Sequence, residues 1–183
     1  MIKALQQLNE RIEHARSLDS VIGFAKKNVG PLTQKPVVKE LLSGEFMGHP
    51  LHPLMTDIPI GAWSMSALLD VLGGEELEDA STILVGVGVL SAVPTAVTGL
   101  HDWQKTTGES SRVGFVHAAI MDVTVLVYAG SLAARLTGRS TMGKLLGLTG
   151  MGVMSVGGFL GGHLTYALGA NVEHASPKLQ AVN

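Results

Sequence analysis

Ionisable side chains are missing from two long stretches of the chain and sparse in two others. The run TILVGVGVLSAVPTAVTGL, from Thr82 to Leu100, has none, and neither has LLGLTGMGVMSVGGFLGG, from Leu145 to Gly162. Each is long enough to cross the hydrocarbon of a bilayer at ~1.5 Å of rise per helical residue. Leu54 to Leu72 and Val113 to Ala134 are comparably apolar, apart from Asp57 and Asp70 in the first and His117 and Asp122 in the second. A soluble helix needs a water-facing side, and two whole segments lack one. The pattern predicts an all-α chain built on a four-helix transmembrane bundle.

Residues 1–45 follow a different rule. In KALQQLNERIEHARSLDSVIGFAKKNVG, charges recur at helical intervals with apolar positions between them, which predicts an amphipathic helical arm. Asp19 or Ser20 is placed to cap a second short helix after Leu18, and Gly30-Pro31 and Lys35-Pro36 should break it. No apolar core follows Met1 closely, so a cleavable signal peptide is not expected, and the arm should stay on the side where it is made. The expected division is an arm at 1–45, a membrane domain at 46–172 and a polar tail at 173–183.

Composition narrows the chemistry. Of 183 residues, 46% are hydrophobic and 15% charged. A net charge of −2 supplies no basic field for phosphate backbones, so no nucleic-acid partner is expected. Without cysteine the chain has no disulfide, thiolate zinc site, iron–sulfur ligand or covalently attached c-type haem. A bound metal would use His, Met or oxygen ligands. The first interhelical loop, GGEELED, is acidic, whereas Lys26, Lys27, Lys35 and Lys39 precede the first span. Lys105 and Arg112 in the second loop and Lys178 in the tail share the arm's face, while Arg135, Arg139 and Lys144 lie in the third loop on the other. With Lys26 and Lys27 added, the balance favours both termini on the cytoplasmic side.

Helix order alone brings the histidines into one argument. If four helices alternate in direction, the start of the first and third and the end of the second and fourth share a membrane face. His49 and His52 open the first, His101 closes the second, His117 lies near the start of the third and His163 near the end of the fourth. A histidine cluster is therefore expected at one face, with Asp57 in the same layer and Asp122 deeper. Ionisable groups inside a bilayer are costly unless paired or ligated, and they mark ion, proton or cofactor sites.

Three readings follow. In the first, His117 and His163 are axial ligands of a b-type haem in an electron-transfer subunit, with His52, His49 and Asp57 supporting the cofactor. In the second, His49, His52, His117, His163 and Asp57 hold zinc, iron or copper, or Asp57 and Asp122 handle protons. The third is a scaffold without catalysis, whose histidines bond lipid headgroups or a partner while residues 1–45 dock a soluble or redox protein. Gly157, Gly158, Gly161 and Gly162 read first as a close-packing helix face. The same glycines, with Gly86 and Gly88, would also let a flat macrocycle approach. Met121, Met151 and Met154 read as gap-filling core, and Trp103 as an interfacial anchor. No nucleophile–base pair, phosphate loop or nucleotide fingerprint is visible, so no reaction is assigned.

At GHPLHPLMTDIPIGAW, residues 48–63, the sequence resembles domain of unknown function family 2231, a family of bacterial membrane proteins. The likeness continues through GLHDW (99–103), RVGFVHA (112–118) and GGHLTYALG (161–169), and covers about residues 40–172. It implies a four-helix unit integral to the bacterial plasma membrane. Similar proteins are sometimes fused to a Rieske iron–sulfur domain or found near cytochrome-like domains, which implies redox work. This chain departs from the pattern at His101, where the family typically has Ala, so His101 is not expected to be a shared ligand.

Overall fold

The computed structural model describes residues 2–33 and 35–170. The regular elements among them are all helical. They are α1 Ile2–Glu13, α2 Asp19–Thr33, α3 Pro36–Ser43, α4 Leu51–Leu72, α5 Glu78–Gln104, α6 Gly108–Leu136 and α7 Ser140–Tyr166, with 3₁₀ turns at Arg16–Leu18, Glu45–Met47 and Glu75–Leu77. The tail expected at 173–183 lies outside the described residues.

The boundaries follow local chemistry. α3 begins with Pro36, whose fixed φ suits a first helical position and whose missing N–H would be unpaired there anyway. It ends at Gly44, which has φ +73°, and a Cβ there would collide with the backbone of His49 and Leu51. Only glycine lets the chain turn this tightly into α4. The break expected at Gly30-Pro31 comes later, because α2 runs through Pro31 to Thr33. With Pro31 in the last turn, only one backbone bond is lost before the helix stops.

α4 to α7 coincide with the four apolar segments, but the expected count of spans needs correction. Three stretches are long and apolar enough to cross a membrane: Glu75–Gln104, Gly108–Leu136 and Ser140–Tyr166. α4 is not a fourth clear one, because Pro53, Asp57, Pro59 and Asp70 dilute its 22 residues. In the three spans only 28%, 22% and 28% of the most apolar window is buried within the chain. The remainder is partly or fully exposed, as on helices that lipid covers.

The chain divides into two compact units. The first comprises Met1–His52, Val97–Ala118 and Gly158–Asn183, and the second Pro53–Ala96 and Ala119–Gly157. In the second unit Trp63, Val85, Ala92, Tyr128 and Met154 form the buried core, with Met121 and Met151 packed against it, so the methionines fill gaps as expected. The Trp63 and Tyr128 rings stack with centroids 4.1 Å apart and planes 1° from parallel. Glycines make room for both rings. A Cβ on Gly88 would overlap the Trp63 indole, and one on Gly150 would lie 2.7 Å from Tyr128 Cε2.

Candidate functional site

His49, His52, His101, His117 and His163 all fall in the first unit, each with its own surroundings. His49 is exposed ahead of α4, its Nδ1 3.2 Å from the Pro50 carbonyl. His52, in the first turn of α4, has Nδ1 3.2 Å from Thr98 Oγ1 on α5. Its ring lies so close to Gly99 that a Cβ there would be 2.7 Å from Cε1. His101 is fully buried. His117, half-buried on α6, lies against Gly161 of α7, where a Cβ would be 3.1 Å from its Cε1. His163, in the last turn of α7, has Nε2 2.5 Å from Glu13 Oε1 at the end of α1. With Glu13 ionised, the imidazole N–H donates to it.

These positions bear on the ligand sets inferred from sequence. Among the described residues no three His, Asp or Glu side chains form a group that could hold a metal ion. The set His49, His52, His117, His163 and Asp57 is not among such groups there. Asp57 and Asp122 are exposed residues of the second unit. Of the six glycines considered for a macrocycle, three face side chains of this chain at close range, whereas a Cβ at Gly158 would meet nothing within 4 Å. Trp63 fills the space at Gly88, His117 that at Gly161, and Met121 lies against Gly157, where a Cβ would be 2.5 Å from its Sδ.

Around His163 the arm is tied down by further polar contacts. Arg112, in the second turn of α6, forks onto Asp19, with Nε 2.7 Å from Oδ1 and Nη2 2.8 Å from Oδ2. Its Nη1 donates to the Glu13 carbonyl at 2.6 Å, so one guanidinium holds both the end of α1 and the start of α2. Lys26 of α2 donates to the Thr106 carbonyl at 2.5 Å and sits 4.9 Å above the Trp103 ring. Burial pushes its ammonium below the ordinary lysine value. Trp103 is itself buried, and donates Nε1–H to the Ser111 carbonyl at 2.9 Å. The interfacial-anchor expectation is corrected accordingly: this indole joins α5 to α6 and α2.

Hydrogen bonding from Arg112 is the main cause that holds the Asp19 carboxyl below its usual range. The folded value being the lower one, the pair's stabilisation is complete above about pH 4 and is lost as pH falls through the folded value. Protease cleavage within residues 1–45 is therefore expected to accelerate on acidification below about pH 4. Asp19→Asn should show less of that acid-side step.

A second polar site was not anticipated. In the second unit Asp70 of α4 and Arg135 of α6 form an ion pair with each side chain 2% exposed. Arg135 Nη1 donates to Asp70 Oδ1 at 3.1 Å, while Nη2 meets Oδ2. The Ser81 hydroxyl donates to Asp70 Oδ1 at 2.6 Å, and Ser66 Oγ lies 2.9 Å from Ser81 Oγ. Arg135 Nε donates to Ser131 Oγ at 3.2 Å, and Ser131 donates to the Gly143 carbonyl at 2.6 Å. Gly143 and Gly147 of α7 leave the space the guanidinium occupies. The sequence signal was available: one acid and one base closing two apolar runs, with serines and glycines at helical spacing beside them.

Neither a curated protein nor a solved structure matches the chain. The model of the predicted membrane protein family DUF2231 matches residues 48–174, and the chain belongs to that family.

Proposed function

We propose that this chain is an integral membrane scaffold subunit, in which imidazoles fasten helices to one another and to the N-terminal arm. The observation that carries the reading is the His163–Glu13 contact at 2.5 Å, made by the very imidazole that a haem or metal would need. His52 at Thr98 and Gly99, and His117 at Gly161, support it, since both rings are used between helices. α4 is taken as a fourth span: 22 residues rise about 33 Å, and its most buried acid, Asp70, is neutralised by Arg135. Lys26, Lys27, Lys35 and Lys39 put the N-terminus on the cytoplasmic side of a bacterial plasma membrane, and four crossings return the C-terminus there.

The competing proposal keeps the sequence-based assignment: haem b between His117 and His163, or zinc, iron or copper with His49, His52 and Asp57. One preparation separates the two. The detergent-purified protein, expressed with haem and metals supplied, is expected to have no Soret band and no stoichiometric transition metal. In His163→Ala and in Glu13→Gln the arm should be released. A hydrogen bond to a charged group contributes about 1.5–3 kcal/mol, so cleavage within residues 1–45 should rise about tenfold or more. A Soret band or bound metal that disappears in His163→Ala would establish the cofactor reading instead.

A further inference from the structure

We propose that α6 carries a homodimerisation surface centred on Asp122, where a second copy of this chain brings its own Asp122 and the two carboxyl groups hydrogen-bond to each other. Asp122 lies at the midpoint of the 29-residue α6. At ~1.5 Å per residue it is about 21 Å from either helix end, and so near the centre of a hydrocarbon layer ~30 Å thick. It is exposed on the surface of the chain, and no hydrogen bond or ion pair among the described residues reaches it. Even as a neutral acid a carboxyl has a donor and acceptors to satisfy, and lipid tails offer neither. Lipid alone is a poor cover for this position.

The neighbouring residues suit another helix. Ala119, Val123, Leu126, Gly130 and Ala133 share the exposed face of α6 with Asp122, and three of the five are Ala or Gly, which allow backbones to approach closely. The occupant follows from depth and symmetry. A second copy inserted in the same orientation presents residue 122 at the same level, and a twofold axis along the membrane normal sets each such residue opposite itself. Two carboxyls that retain a proton satisfy one another by O–H···O bonds. Helices α4 to α7 carry three Lys or Arg residues, and each already has an acidic partner. Arg112 is engaged by Asp19, Arg135 by Asp70 and Lys144 by Glu78, and all three lie toward helix ends.

The natural absence of cysteine makes the test clean, because a single introduced thiol is the only one present. Ala119→Cys, Leu126→Cys and Gly130→Cys, oxidised in native membranes, should give a covalent dimer, and Val127→Cys, which lies off that face, at least fivefold less. In Leu126→Cys, adding Asp122→Ala should lower the yield about tenfold, whereas Asp122→Asn should retain most of it, since an amide also pairs with itself. Helical circular dichroism unchanged in Asp122→Ala excludes a folding defect at this exposed position. Adducts absent, equal at all positions, formed with a different protein, or unaffected by Asp122→Ala would each overturn the proposal. It requires only that α6 spans the membrane, and its readout is independent of cofactor content and arm release, so either proposal can fail alone.

Discussion

Replacing Arg135 by Ala is expected to destabilise the second unit by about 3–5 kcal/mol, the typical cost of breaking a buried ion pair from one side. The substitution leaves the Asp70 carboxylate, 2% exposed, without its cation, and removes donors from Ser81 and Ser131 together. Arg135→Lys should recover only part of the loss, because an ammonium cannot reproduce the fork that meets both Asp70 oxygens. The informative comparison is Asp70→Leu with Arg135→Met. Removing both charges leaves no buried charge unpaired, and such replacements are often neutral or stabilising. Unfolding in mixed micelles, followed by helical circular dichroism, should therefore rank the double variant well above either single one. Lys144→Ala should shift the transition by less than about 1 kcal/mol, since the Lys144–Glu78 pair is 27% and 30% exposed. If Arg135→Ala behaved like Lys144→Ala, the guanidinium would not be holding this unit together.

The four apolar runs gave away the long helices, because a segment without a polar side can be stable only where lipid or protein covers it all round. Number of spans was harder to read from the same signal. α4 combines two prolines and two acids with apolar residues, and its polarity becomes intelligible only when Arg135, remote in sequence, is found against Asp70. Helix order placed five histidines at one membrane face; they fall in one unit, but among the described residues no three of them form a group that could hold a metal ion. What each ring touches was out of reach, for a physical reason: a contact such as His163–Glu13 joins residues 150 positions apart, and neither residue carries a local mark of the other. The arm illustrates the same limit. Its periodic charges announced a helix with a polar face, but a solvated face and one clamped by Arg112 have the same pattern. Glycine spacing likewise signalled close approach without revealing that rings would be the approaching groups.

Trp63→Ala is expected to cost about 3–5 kcal/mol, the usual range for emptying a buried indole site, and Gly88→Ala should reach a substantial part of that loss without removing the ring. Trp63 has no exposed surface, stacks on Tyr128 with centroids 4.1 Å apart, and has Nε1 3.4 Å from the Val85 carbonyl. The methyl group of alanine at 88 would occupy the space of Nε1 and Cδ1, so either the indole leaves its stack or α4 and α5 separate locally. Overpacking of this kind costs about 1–3 kcal/mol, and the upper end applies here because a stacked ring cannot yield as a flexible chain end would. Gly152→Ala is the matched control. A Cβ there meets nothing within 4 Å, so the change should be neutral or stabilise α7 by up to about 1 kcal/mol through reduced backbone entropy. Near-ultraviolet circular dichroism and tryptophan emission report the stack, while the midpoint of unfolding reports its energy. In Gly88→Ala both should change, and in Gly152→Ala neither spectrum should. Equal behaviour of the two variants would mean that the indole does not occupy the notch at Gly88, and the packing described for the second unit would have to be abandoned.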